Sequence, residues 1–115
     1  MTQTQQGSGS AGRWGPLFGA HARDWAETWE GPGGWGSPVY QYVLDRAKIG
    51  SGTRVLDCGC GAGRFARMAA DRGAMVAGID AAQQLVAIAG SAPRTGTSER
   101  VTWRRCRGRR TLSMS

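Results

Sequence analysis

The chain has 115 residues and carries 15 Lys and Arg against 8 Asp and Glu, a formal net charge of +7. This length limits it to a single domain with a small core. No apolar run reaches the ~20 residues of a membrane span, and residues 1–10 lack the basic and apolar regions of a signal peptide. We therefore expect a cytoplasmic domain with no membrane partner.

Cysteine usage agrees with a reducing compartment. The three cysteines are Cys58, Cys60 and Cys106. An odd number, with two of them one residue apart, argues against a disulfide framework and for the cytoplasm. A C-x-C pair without further Cys or His at metal spacing is a poor zinc site, so we expect no metal.

The positive charge is confined to the end of the chain. Residues 1–90 hold eight Lys and Arg against seven acids, whereas residues 91–115 hold seven Arg and one Glu. The body of the protein is therefore almost neutral. Its partners have to be inferred from motifs and not from net charge.

The N-terminal third predicts a tail followed by two helices. Residues 1–19 are predicted to be a disordered tail. A helix is expected over 20–30, with Trp25 and Trp29 on one face packing against the main domain. Ser37 is predicted to cap a second helix that has Pro38 at its first position and ends before Gly50. We refer to residues 20–48 as the cap helices.

Residues 53–90 alternate between strand and helix patterns. Strands are predicted over 53–57 and 74–79, and amphipathic helices over 62–72 and 82–89, with Gly73 ending the first helix. Short connections between such elements indicate a βαβ unit in a parallel sheet. After Gly90 the periodicity stops, and residues 91–115 are predicted to be an Arg-rich disordered tail.

The sequence VLDCGCGAG, which begins at Val55, joins the first strand to the next helix through a glycine-rich turn. Gly59 allows a sharp turn, Gly61 leaves room for a ligand, and Gly63 allows the helix to pack closely on the sheet. Asp80 follows the second strand, where an acid accepts hydrogen bonds from ribose hydroxyls. The pattern predicts a nucleotide-like ligand.

The spacing disfavours a dinucleotide. The dinucleotide motif is G-x-G-x-x-G, but the third glycine here comes one residue early and Arg64 follows it. Asp57, two residues before the first glycine, repels a pyrophosphate and favours a cation. A dinucleotide-dependent oxidoreductase, and a turn that only joins strand to helix, remain the weaker alternatives.

The run from Val55 to Gly63 resembles the first motif of class I S-adenosylmethionine-dependent methyltransferases, and Gly78-Ile79-Asp80 resembles their second motif. The resemblance implies a Rossmann-like, doubly wound parallel α/β sheet, of which only the first βαβα portion is present, preceded by cap helices over cofactor and substrate. It implies S-adenosyl-L-methionine as cofactor and an unidentified small-molecule methyl acceptor, with no catalytic residue assigned. The implied cofactor-binding residues are Asp57, Gly59, Cys60, Gly61, Gly63 and Asp80.

The Arg-rich tail is interpreted as the product of a reading-frame shift. The family continues with a Gly-Asp strand end, a Leu-Pro stretch and a Ser-Phe-Asp segment, none of which follows Gly90. When residues 101–115 are back-translated with GC-rich codons and read one base earlier, they give GDLEALPWPADSFDV. The choice of codons leaves some freedom in this back-translation, but the Gly-Asp, Leu-Pro and Ser-Phe-Asp features all appear in the resulting text. We expect the shift point between Gly90 and Arg100 and a truncated chain with little or no activity.

The alternative function is a basic nucleic-acid-binding module that uses the Arg-rich tail, with Trp103 as the stacking residue. A frame shift removes the reason to expect this, because the basic charge is then a by-product of reading GC-rich DNA out of frame. The sequence therefore favours the methyltransferase interpretation without a specific nucleic-acid partner.

Overall fold

The structure is a computed structural model that describes residues 11–91 and 101–105. The predictions for residues 1–10, 92–100 and 106–115 lie outside the described residues. The helices are α1 (Ala11–Ala20), α2 (Ala22–Thr28), α3 (Ser37–Arg46), α4 (Arg64–Asp71) and α5 (Gln83–Ser91). The strands are β1 (Arg54–Cys58), β2 (Met75–Asp80) and β3 (Val101–Arg105).

The three strands form one parallel sheet in the order β1-β2-β3. In register, Val55 lies opposite Val76, and Val76 lies opposite Val101. Helices α4 and α5 connect consecutive strands and contact the sheet. Parallel strands need such crossovers because their ends lie at opposite edges. This arrangement confirms the predicted Rossmann-like fold, with helices preceding the first strand.

The third strand corrects the prediction that residues 91–115 are disordered, which was wrong for Val101–Arg105. This segment pairs with β2 over five residues. The Trp103 ring lies against Gly78 of β2 and against Gly63. Val101 to Arg104 do alternate between apolar and polar residues, but the alternation ends at Arg105 and is too short to stand out in an Arg-rich segment.

Helix α1 corrects the predicted tail over residues 11–19. The Gly15, Pro16 and Gly19 content disfavoured a helix in the sequence. Gly15 is buried, and a Cβ atom there would lie 2.6 Å from the carbonyl oxygen of Ala81. Helix α1 thus contacts the segment leading into α5 through its smallest residues, and this tertiary contact outweighs the poor helix propensity.

The start of α3 also differs from its prediction. The helix begins at Ser37 with Gly36 at the N-cap, and Ser37 Oγ is buried without a hydrogen-bond partner. Ser37 is therefore not the capping residue. Pro38 was predicted at the first position of the helix and is its second residue, still in the first turn, where its missing N–H has no helical partner to lose.

Two apolar clusters hold the elements together. The first contains Leu44 of α3, which is fully buried, together with Ala66, Ala69 and Ala70 of α4, Ala74 just before β2, and Val76 of β2. The second joins the cap helices to the start of α4 and α5 through Ala22, Ala62, Ala82 and Leu85. Trp25 packs against this second cluster and stacks on Trp29 with ring centroids 5.7 Å apart, which confirms the predicted packing.

In the part of the chain that the structure describes, no helix has both the length and the apolar character needed to cross a membrane.

Candidate functional site

The glycine turn leaves β1 and is fastened to the end of β2. The backbone N–H groups of Gly59 and Cys60 both donate to the carbonyl oxygen of Ile79, at 2.8 and 2.9 Å. Gly61 and Gly63 have φ angles of +58° and +92°, which residues with a side chain rarely adopt. The backbone conformation therefore favours glycine at both positions, which is a reason other than the predicted ones, room for a ligand at Gly61 and close helix packing at Gly63.

Asp80 closes the turn from the next strand. Its Oδ2 atom accepts a hydrogen bond from the Gly61 N–H at 2.9 Å, and its Oδ1 atom accepts one from the Ala82 N–H at 2.8 Å. A carboxylate oxygen has two lone pairs. Each oxygen of Asp80 therefore keeps one acceptor position beyond its backbone contact.

Asp57 is held in an unfavourable environment. Its Oδ2 atom is buried and has no hydrogen-bond partner. Burial, together with the negative charges of Glu30 and Asp80, raises the pKa of Asp57 to about 6. Such a carboxylate is destabilised in its charged form and would be stabilised by a nearby cation.

Glu30 is part of this site although it was not predicted from the sequence. Its side chain is 4 % exposed. Its Oε2 atom accepts a hydrogen bond from the Ala62 N–H at 2.6 Å, and its Oε1 atom accepts one from the Arg64 N–H at 3.1 Å. Burial raises the pKa of Glu30, while these two hydrogen bonds act in the opposite direction. The only signal in the sequence was an acid beside two tryptophans.

Cys60 is buried within the turn, and its Sγ atom lies 3.7 Å from the carbonyl oxygen of Gly61. Burial and the charges of Asp80, Asp57 and Glu30 raise the pKa of Cys60 to about 12. The thiol therefore stays protonated at neutral pH. Because the thiolate is the nucleophilic form, Cys60 contributes packing and not nucleophilic chemistry.

A cavity of about 450 Å³ lies between the glycine turn and the cap helices. Of the predicted site residues, four line it: Gly59, Cys60, Gly61 and Asp80. Asp57 and Gly63 are not in the lining. Gly63 instead lies against the Trp103 ring. The remaining walls are Glu30, parts of β1, β2 and α5, and the aromatic side chains Trp14, Phe18, Trp25 and Tyr40.

The cavity therefore combines a polar floor with an aromatic roof. Two acids, Glu30 and Asp80, line the floor, and a third, Asp57, interacts with both. The positive charge of Arg67 lowers the pKa of Glu30. The Nη1 atom of Arg67 donates a hydrogen bond to the carbonyl oxygen of Ala62 at 3.1 Å. Such a site suits a ligand that has hydroxyl donors and positive charge.

Comparison with known proteins identifies the family. The methyltransferase domain family matches residues 55–114, which is more than half of the chain. No curated protein matches the chain.

Several solved structures are similar in sequence and fold. The [4+2]-cyclase SpnF is 36% identical, with a TM-score of 0.54 over 61% of this chain and 27% of that chain. A methyltransferase from Geobacter sulfurreducens, solved with S-adenosyl-L-homocysteine, is 32% identical, with a TM-score of 0.52 over 58% and 28%. Phosphoethanolamine N-methyltransferase 2 from Haemonchus contortus, solved with S-adenosyl-L-methionine, is 29% identical, with a TM-score of 0.52 over 75% and 24%.

The chain spans about a quarter of the length of these solved proteins. The matched region begins in β1 and contains the glycine turn and Asp80. These findings confirm the resemblance drawn from the two motifs, and the chain belongs to the methyltransferase-domain family of the class I S-adenosylmethionine-dependent type.

Proposed function

We propose that this chain is the S-adenosylmethionine-binding part of a methyltransferase that acts on a small molecule. The observation that carries the proposal is the acidic floor of the cavity, formed by Glu30 and Asp80 beside the glycine turn with Asp57 close by. Like charges in one site are unfavourable unless a cation offsets them. A sulfonium cofactor with an ammonium group supplies such charge, whereas a dinucleotide brings further negative charge.

Each part of the site has a role in this proposal. The free acceptor positions of Asp80 would bind the ribose hydroxyls, and the turn from Gly59 to Gly61 would approach the methionine part of the cofactor. Asp57 would stabilise the cofactor's ammonium group. When bound, the cofactor supplies an activated methyl group. The chain's own contribution is to position that group, because methyl transfer depends mainly on orientation.

Methyl transfer is a separate claim from cofactor binding. One similar structure is named as a [4+2]-cyclase and not as a methyltransferase. The family fold thus hosts more than one activity, and fold alone does not assign the reaction. The aromatic walls of Trp14, Phe18 and Trp25 support a small, partly apolar acceptor.

We also propose that the segment after residue 90 is read out of frame. The support is the text GDLEALPWPADSFDV, obtained one base away from the tail, with the features expected of the family. The family match through residue 114 in the present frame is the observation against it. On the sheet, Leu56 and Met75 are 63% and 56% exposed, and β1 pairs on one side alone within the described residues. An uncovered apolar face and a free strand edge favour aggregation, so we expect weak activity at most.

The nucleic-acid alternative receives no support from the described part of the tail. It required Trp103 to stack on bases. The Trp103 ring is used in packing against Gly63 and Gly78.

Cofactor binding is tested by isothermal titration calorimetry with S-adenosylmethionine. Replacing Asp80 with Ala removes a charged acceptor, and such hydrogen bonds contribute ~1.5–3 kcal/mol. We expect Asp80→Ala to weaken binding at least about tenfold. Asp71→Ala removes the same charge from an exposed position of α4 and should leave binding unchanged.

Because the Asp80 side chain also holds two backbone N–H groups, Asp80→Asn serves as a milder second variant, with folding checked by circular dichroism. If folded Asp80→Ala and Asp80→Asn bind the cofactor as tightly as the original chain, the proposed site is wrong.

The frame proposal is tested on the gene. We expect its codons for residues 101–115 to give GDLEALPWPADSFDV in the neighbouring frame, followed by an open frame. A protein made from the corrected frame should bind S-adenosylmethionine more tightly and resist unfolding better than the present chain. Codons that give no such text would mean that β3 is a divergent in-frame strand, and the proposal would fail.

The raised pKa of Asp57 predicts that the stability of the folded chain depends on pH. Its pKa is raised from 3.8 to about 6 in the folded state, so the folded chain holds this proton more tightly than the unfolded chain. Stability is therefore lost as pH rises from about 4 to about 6. We expect Asp57→Asn to unfold at higher denaturant than the original chain at pH 7, by on the order of 1–3 kcal/mol, with the difference vanishing below about pH 4.

The matched control is Glu27→Gln, at an exposed position of α2, which should show no such pH-dependent difference. In the same preparations, Asp57→Asn should bind S-adenosylmethionine more weakly. If Asp57→Asn is no more stable than the original chain at pH 7, the charged carboxylate of Asp57 does not destabilise the fold and this prediction is wrong.

A further inference from the structure

Glu30 is the only acidic or basic residue that is fully buried within the described part of the chain. Its carboxylate lies at the N-terminus of α4, between the cap helices and the glycine turn. A buried charge is stable only when other groups compensate it. Here the compensation comes mainly from the backbone N–H groups of Ala62 and Arg64, at 2.6 and 3.1 Å.

Arg64 is the first residue of α4, and Ala62 lies in the glycine turn just before the helix. N–H groups at this place are the ones that nucleotide-binding folds of this architecture offer to phosphate. The first turn of a helix leaves its N–H groups without partners inside the helix, and the helix dipole favours negative charge there. In dinucleotide-binding sheets the pyrophosphate lies at this position, after the glycine turn. In this chain the carboxylate of Glu30 occupies it.

The turn is shaped around this carboxylate. A Cβ atom on Gly61 would lie 2.6 Å from Glu30 Oε2 and 3.1 Å from Trp25 Nε1, so a side chain at position 61 would displace Glu30. The indole of Trp25 also forms a side-chain hydrogen bond that favours the charged form of Glu30. The glycine, the tryptophan and the glutamate therefore form one fitted contact.

We propose that Glu30 is a specificity-determining residue that blocks phosphate at the N-terminus of α4 and reserves the turn for a cofactor without phosphate. Its carboxylate takes both hydrogen-bond donors that a phosphate would need. Its charge repels an incoming anion and adds to the attraction for a cation. The inference rests on the proposed function, since it explains how the site distinguishes S-adenosylmethionine from phosphate-bearing nucleotides.

The test measures anion binding directly, by calorimetry of the full chain with inorganic pyrophosphate. Glu30→Ala frees the Ala62 and Arg64 N–H groups and removes the charge. We expect this variant to bind pyrophosphate at least about tenfold more tightly than the original chain. Glu27→Ala, which removes the same charge from an exposed position of α2, should bind as the original chain does.

A purely structural role for Glu30 would lower the unfolding temperature of Glu30→Ala without creating anion binding, and that result would overturn the proposal. An equal gain in pyrophosphate affinity in Glu27→Ala would also overturn the proposal, because the change in net charge would then explain the tighter binding. If Glu30→Ala does not fold, Glu30→Ser decides in the same way, since its short side chain removes the charge and also leaves the Ala62 and Arg64 N–H groups free. Pyrophosphate binding is measured without S-adenosylmethionine. If the proposed function is wrong, this would appear separately, as absent cofactor binding by the original chain.

Discussion

The hydrogen bonds from the N–H groups of Ala62 and Arg64 to Glu30 hold the cap helices in place against the βαβ unit. They join a residue just after α2 to the start of α4, up to 34 positions later in the chain. The same contact satisfies the N–H groups of Ala62 and of Arg64, the first residue of α4, and offsets a buried charge. It also positions the aromatic side chains of the cap helices over the glycine turn. Without it, the cavity would lose one wall and the turn would lose its neighbour at Gly61.

The clustered carboxylates of the site reduce the stability of the folded chain. Burial and the negative charges of Glu30 and Asp80 raise the pKa of Asp57, which also keeps an unpartnered buried oxygen. Strain of this kind is typical of ligand sites, where the ligand supplies the missing partner. The arrangement therefore fits a protein in which cofactor binding relieves a charge imbalance, and it explains why the same residues serve a cation better than a phosphate.

The features that could be predicted from the sequence are local ones. The strand, turn and helix around Gly59 to Gly63 follow from apolar runs and glycine spacing, and Asp80 follows from its place after the next strand. Helix α1 and strand β3 were missed because tertiary contacts at Gly15 and Trp103 outweigh weak local patterns. Glu30 was missed because its partners are far away in the chain, where spacing carries no information.

The central claim is that S-adenosylmethionine occupies the cavity between the cap helices and the glycine turn. A nuclear magnetic resonance titration of the ¹⁵N-labelled chain with the cofactor tests this residue by residue. We predict that the amide signals of Gly59, Gly61 and Ala82 move together along one binding curve. Changes confined to Leu17, His21 and Thr28, which line a neighbouring cavity and not the proposed site, or no changes at all, would contradict the account.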